Sequence, residues 1–253
     1  MWDGQISSTQ VSRLTQLLDE ELQKFRKRPL TESIPFVYLD AHYEKIRHEG
    51  HVRSLAVLKA IGINKEGKRE ILGVSCSLSE AEIHWRKFIE ELLERGLKGV
   101  RLLVSDDHAG LKAALKSSLP SVPWQRCLFH LCQNAQHYAP TQGLKSELGQ
   151  AVKDIYLSLS QEEAKKRQEE TVLKYQNKAG KFCTWLEENF EEGLSFYKFD
   201  RSYWKKIRTV NQVESLNKEI RRRTNVVRLF PHEESCLRLI SAVLLDKHEE
   251  WIS

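Results

Sequence analysis

Apolar residues recur at three- and four-residue steps near the start of the chain. Val11, Leu14, Leu18, Leu22 and Phe25 share one side of a helix predicted over residues 9 to 27, and Pro29 stops it. The pattern then changes to short apolar runs. "IPFVYLDA" (34 to 41) predicts a strand ending on Asp40, and residues 52 to 63 and 69 to 77 predict two more. The loop "NKEGK" between these two contains Gly67 and predicts an antiparallel hairpin. A helix over about 80 to 96 precedes a fourth strand at 99 to 104. A helix over 108 to 118 and a short strand in "VPWQRC" follow.

Three strands followed by alternating helices and strands predict an α/β fold, a mixed sheet with helices on both faces. Beyond about residue 128 the strand signals end. Residues 145 to 199 are rich in Glu, Lys, Gln and Leu and predict two or three helices, with Gly180 and Gly193 as breaks.

Composition narrows the class. At 253 residues, 40% hydrophobic and 30% charged, the chain can bury a sizeable core. It has no run of 18 apolar residues to span a membrane and no apolar leader. Five scattered cysteines read as reduced thiols of a cytosolic protein. The net charge of +5 is mild, but residues 201 to 228 hold nine Lys or Arg against two Glu. A solvated helix face usually mixes its signs. This segment, with Lys205, Lys206, Arg208, Lys218, Arg221, Arg222 and Arg223, is a candidate phosphate-contacting surface.

The acids are the candidate chemistry. Asp40 and Asp106 both follow predicted strands; if strands one and four are parallel neighbours, those tips lie about 5 Å apart. Carboxylates that close repel one another unless a cation lies between them, and hard divalent ions take oxygen ligands. Either residue alone could equally cap a loop or helix. In "NQVESLNKEIRRRT", Glu214 shares a polar helix face with Asn211, Asn217, Lys218 and Arg221, opposite the apolar stripe Val213, Leu216 and Ile220. Glu214 reads either as a third metal-binding acid or as a salt-bridge partner of Lys218. Cys127, His130 and Cys132 form C-x-x-H-x-C, a weak zinc pattern without a fourth ligand nearby.

The stretch from Asp106 to His130 carries a longer pattern. Asp106, Gly110, Leu111, Ser118, Leu119, Pro120, Gln125, Cys127 and His130 resemble the signature of Mutator-type transposases of bacterial insertion sequences. "VYLDAHYEKIR" resembles that family's first catalytic block and "NQVESLNKEIRRRTNVVRLFP" its last. The resemblance implies a ribonuclease H-like core over 31–138, an all-α insertion at 139–203, and C-terminal helices at 204–253 that complete the core. Residues 1–30 would be the remnant of a helix-turn-helix-like DNA-binding region, so the resemblance also implies N-terminal truncation.

By the same resemblance the catalytic, metal-holding acids are Asp40, Asp106 and Glu214, using two Mg²⁺ (or Mn²⁺) ions. Cys127 and His130 belong to a motif beside them that contacts DNA, positions acids or packs. The implied function is cleavage and strand transfer at insertion-sequence ends. The implied partners are double-stranded DNA, both terminal inverted repeats and target, and further copies of the chain in a homo-oligomer on DNA. The implied location is the bacterial cytoplasm, at the nucleoid. The alternative is a catalytically dead DNA-binding relic. Counting back from Gly110 makes Asp106 the signature acid and leaves Asp107 as an expected N-cap or first-turn acid.

Overall fold

The computed structural model describes residues 7–208 and 211–253, with the side chains of Asn211 and Gln212 outside the description. The first six residues of the expected N-terminal remnant, and the Asn211 side chain expected beside Glu214, therefore lie outside the described residues.

Helix α1 (Ser8–Lys27) leads into strands β1 (Phe36–His48), β2 (His51–Ile63) and β3 (Arg69–Ser77). Then come α2 (Glu82–Glu94), β4 (Leu102–Ser105), α3 (Ala109–Ser118), β5 (Trp124–Arg126) and α4 (Leu128–His137). The next stretch is helical: α5 (Gln142–Tyr156), α6 (Gln161–Tyr175), α7 (Gly180–Asn189) and two 3₁₀ turns (Phe190–Gly193, Ser195–Lys198). Helices α8 (Arg201–Arg208), α9 (Asn211–Val227) and α10 (Glu233–Ile252) close the chain. Among the described residues no helix is long and apolar enough to cross a membrane.

The strands form one mixed sheet in the order β3-β2-β1-β4-β5. β1 and β2 pair antiparallel from Phe36↔Ile63 to His48↔His51, while β4 runs parallel to β1 from Phe36↔Leu102 to Leu39↔Ser105. The expected parallel neighbours are therefore present. Period-two alternation assigns the faces. Val37, Leu39 and Leu103 pack under α2 and α3 with Trp85, Phe88 and Leu111. Phe36, Tyr38, Ile46, Leu102 and Val104 pack on the opposite face with residues of α4, α9 and α10.

β1 is longer than the pattern predicts. The run "HYEKIRH" continues the strand because Glu49 (φ 49°) and Gly50 (φ 78°) make a two-residue turn into β2, with both centres left-handed. Asp40 is therefore the fifth residue of a thirteen-residue strand rather than its tip. That strand has no apolar alternation to announce it past Ala41, yet His42 and Ile46 are buried on the face that carries Tyr38. Its far end also holds the chain after α9: Phe230 donates its N–H to the Lys45 carbonyl (2.9 Å), and Arg47 donates to that of Phe230 (2.9 Å). Of the expected breaks in the helical stretch, Gly180 opens α7 and Gly193 ends the first 3₁₀ turn.

The signature glycine has a packing reason. Gly110 lies in the first turn of α3, where a Cβ would sit 2.4 Å from the Glu80 carbonyl oxygen and 3.0 Å from the Glu82 nitrogen. Both neighbours are backbone, so neither yields cheaply, and α3 can approach α2 only with glycine there. We expect Gly110→Ala to lose about 1–3 kcal/mol in urea denaturation. Gly143→Ala, which meets open space, should stay within about 0.5 kcal/mol of the parent or gain stability. Equal effects at the two positions would refute this reading of α3 packing.

Candidate active site

Asp40 lies on the face of β1 that also carries Tyr38, His42 and Ile46, and its cross-strand partner is Lys59. Lys59 interrupts an otherwise apolar row on β2 (Leu55, Val57, Ile61, Ile63) and is 1% exposed. Its Nζ stands 2.9 Å from Asp40 Oδ2 and 3.0 Å from His42 Nδ1, and it donates a further short hydrogen bond to Asn217 Oδ1. Asn217 in turn donates Nδ2 to Asp40 Oδ2 at 2.9 Å. Lys59, Asp40 and Asn217 thus close a triangle between the two central strands and α9. Burial pushes the Asp40 carboxyl upward. The Lys59 charge, the hydrogen bonds from Asn217 and Lys59, and a contribution from His130 outweigh it and hold Asp40 below the usual carboxylate range.

His42 is pushed down, first by burial and then by the Lys59 charge, so its ring is neutral. With Nδ1 facing the ammonium, the proton lies on Nε2, which approaches Glu44 Oε1 at 3.3 Å without the alignment of a hydrogen bond.

Asp106 follows directly on β4. The β1–β4 register ends at Leu39↔Ser105, and continuing it by one residue carries Asp106 to the level of Asp40. Its end of the strand is pinned on several sides. Cys127 donates its N–H to the Ser105 carbonyl (2.6 Å), Trp124 Nε1 donates to Ser105 Oγ (2.8 Å), and Asp106 Oδ1 accepts the Asp107 N–H (2.8 Å).

Asp107 differs from expectation. His108 is the N-cap of α3, and Asp107 instead pairs with Lys112 (2.8 Å) and Arg126 (3.4 Å). Those two cations also pair with Glu192 in the first 3₁₀ turn, at 3.1 and 2.9 Å. A capping role loses here because Arg126, almost wholly buried on β5, needs acceptors more than the helix end does.

Glu214 is brought to the same side of the sheet by α9. Val213, Leu216 and Ile220 are buried as the stripe predicts, and Asn217, one turn beyond Glu214, makes the contact with Asp40. The Glu214 carboxylate itself pairs with Lys218 at 3.0 Å, the alternative the sequence left open. The other basic residues are variously engaged. Arg222 and Arg223 pair with Glu219 (2.7 and 3.1 Å), and Arg208 is half-buried and donates to the Tyr156 carbonyl at 3.2 Å. Lys206 offers its carbonyl to the Tyr38 hydroxyl at 2.7 Å, and Arg221 is exposed.

Cys127 is the buried N-cap of α4, and burial pushes its thiol up to about 12; the nearby Asp40 and Asp106 charges act in the same direction. Burial also pushes Cys132 up to about 11. His130 is partly buried, and its Nδ1 has no hydrogen-bond partner among the described residues.

Among the described residues no three His, Cys, Asp or Glu side chains lie close enough together to enclose an ion. The donor chemistry nevertheless suits a hard divalent cation. Asp40 stands on β1 and Asp106 follows its parallel neighbour β4, Glu214 lies one helical turn from Asn217, which contacts Asp40, and an ammonium already sits against Asp40. Lys59, the buried partner of Asp40, is the residue of this cluster that the sequence reading missed. Its signal was a lone charge inside the buried run "LAVLKAIGI".

A family model described as "Transposase, Mutator family" matches residues 1–253. The transposase for insertion sequence element IS406 of Burkholderia multivorans is 45% identical over 248 residues, covering 98% of this chain and 64% of the relative. That for ISRM5 of Rhizobium meliloti is 41% identical, covering 97% and 62%. The transposase for IS256 in transposon Tn4001 of Staphylococcus aureus is 37% identical, covering 98% and 64%. The chain thus spans a little under two thirds of the length of these curated relatives.

The ion-pair network of Arg126 yields a test. Glu192→Ala should cost about 1–3 kcal/mol in urea denaturation, because it strips a charged acceptor from a buried guanidinium. Arg126→Met combined with Glu192→Met should recover much of that loss, as no charge is left unpaired. Strictly additive losses would show that the network holds nothing together.

Proposed function

Because this chain belongs to the Mutator family of transposases, we propose that it carries the catalytic acids of a DDE-type DNA transposase. It cuts and joins DNA at insertion-sequence ends. The observation that supports this reading is that β4 runs parallel to β1 with Leu39 paired to Ser105, so that Asp40 and Asp106 are the next residues along neighbouring strands, with α9 tied to Asp40 through Asn217. The sheet order and the antiparallel β1–β2 pair support a ribonuclease H-like core. The helices between α4 and α8 would then be an insertion before the last catalytic helix.

The reaction is two in-line attacks at phosphorus. A water oxygen attacks first, forming one P–O bond as another breaks, and frees a 3′-hydroxyl. That hydroxyl then attacks a target phosphodiester in the same way, so no bond to the protein is needed. Bound Mg²⁺ or Mn²⁺ supplies Lewis-acid activation of the attacking oxygen and stabilises the leaving one. Asp40, Asp106 and Glu214 would hold the ions, Glu214 exchanging its pairing with Lys218 for that role.

Arg221 and the neighbouring cations of α8 and α9 (Lys205, Lys206, Arg208, Lys218, Arg222 and Arg223) supply positive charge for the DNA backbone. The ion pairs of Arg222 and Arg223 with Glu219 hold those guanidinium groups on the exposed side of α9. Cys127, near both aspartates, and His130, near Asp40, pack and position the end of β4. The partners are the terminal inverted repeats and target DNA, with further copies of the chain on paired ends, at the bacterial nucleoid.

The test is divalent-dependent nicking or strand transfer on DNA bearing the element's ends. Asp40→Asn, Asp106→Asn and Glu214→Gln should each lower the rate by at least about a thousandfold. Asp107→Asn should stay within about tenfold of the parent. Loss at Asp107 with survival at Asp106 would overturn the assignment. DNA binding without any cleavage by the unaltered chain would favour the DNA-binding relic instead.

A further inference from the structure

A lysine in the middle of a buried strand row needs an explanation. At the position of Lys59 an apolar residue of similar size would extend the row Leu55, Val57, Ile61 and Ile63 at no desolvation cost. An ammonium has three N–H donors, and Lys59 has three acceptors around it: Asp40 Oδ2, Asn217 Oδ1 and His42 Nδ1. The group is saturated without water.

The arrangement also orients each neighbour. Asn217 must point its carbonyl at Lys59 and its amide at Asp40, because each end meets only the complementary group. His42 must present an unprotonated Nδ1. The triangle is the point at which the α9 side chains meet the first acid, and Glu214 lies one turn away on the same helix.

We propose that Lys59 is the resident counter-ion of Asp40 in the ion-free chain, and that Asn217 is the positioning residue that sets Glu214 against Asp40. The proposal rests on the reading of Asp40, Asp106 and Glu214 as an ion-holding set. In the ion-free state Asp106 follows the strand beside Asp40, and the Lys59 charge, 2.9 Å from Asp40, offsets the carboxylate there. A divalent ion supplies the same compensation from the side of Asp106. Lys59 then remains as the clamp on Asp40 Oδ2 and Asn217.

The experiment uses the full chain and reads urea midpoints, first in chelator and then in a Mn²⁺ titration. In chelator, Lys59→Met should lower the midpoint, and Asp40→Asn with Lys59→Met should recover at least about half of the loss, since no charge is left unpaired. Additive losses overturn the counter-ion role.

With Mn²⁺, the unaltered chain should gain stability by ligand linkage. Lys59→Met should gain at least about twice as much, because the ion now supplies the only compensation. If Lys59→Met is unfolded in chelator, Mn²⁺ should restore its far-ultraviolet circular dichroism, and failure to do so overturns the proposal. Asn217→Ala keeps the ion pair but should raise the Mn²⁺ concentration at half-shift by about tenfold; an unchanged value overturns its positioning role. A Mn²⁺ shift in the unaltered chain that is no larger in Lys59→Met overturns the proposal alone. No shift in either protein overturns it together with the ion-holding reading.

Discussion

The buried pair of Asp40 and Lys59 constrains everything around it. Both charges sit near the centre of the sheet on neighbouring strands, Lys59 wholly buried and Asp40 open to solvent over only a small part of its side chain. Each is tolerable only because the other is 2.9 Å away with Asn217 and His42 completing the hydrogen bonds. That requirement fixes register. A one-residue slip of β1 against β2 would turn Asp40 toward the apolar layer of α2 and α3 and leave Lys59 without its partner. The Glu49–Gly50 turn fixes the same register from the far end of the hairpin. The turn sets the pairing locally, and the ion pair makes any other pairing expensive.

From that centre the remaining chemistry is positioned by short links. Tyr38, two residues before Asp40, holds the C-terminal end of α8 through the Lys206 carbonyl. Asn217 and Phe230 fasten α9 and the chain after it to two points along β1, so Glu214 is carried by a helix anchored beyond itself. On the other side, Ser105 ties the end of β4 to Trp124 and Cys127. Asp107 draws Lys112, Arg126 and Glu192 together, joining the loop beside Asp106 to the all-helical segment. The helical segment is therefore coupled to the loop that carries Asp106 through charges as well as through apolar packing.

The sequence was legible where burial imposes a period. The apolar runs of β2, β3 and β4 announced themselves, as did the stripe of α9 and the acid at the end of β4. Three features did not. The tail of β1 is a run of polar residues whose strand character comes from its partner β2 and from a turn that needs two left-handed residues. Asp107 looked like a capping acid because helix starts favour acids; the pull of Arg126, distant in sequence, decides otherwise. Lys59 was hidden because a single charge in an apolar run reads as noise until the antiparallel register sets it opposite Asp40. The glycine of the signature was visible as a pattern, but its cause, the backbone of residues 80–82, is a tertiary contact.

On the function proposed above, Asp40, Asp106 and Glu214 form one ion-holding site. Anomalous X-ray diffraction from crystals of the chain soaked in Mn²⁺ tests it most directly. A manganese peak at the carboxylates of Asp40 and Asp106 is expected, with Glu214 turned from Lys218 toward it. Manganese bound only at surface acids, with Asp40 still held by Lys59 and Asn217 alone, would contradict it.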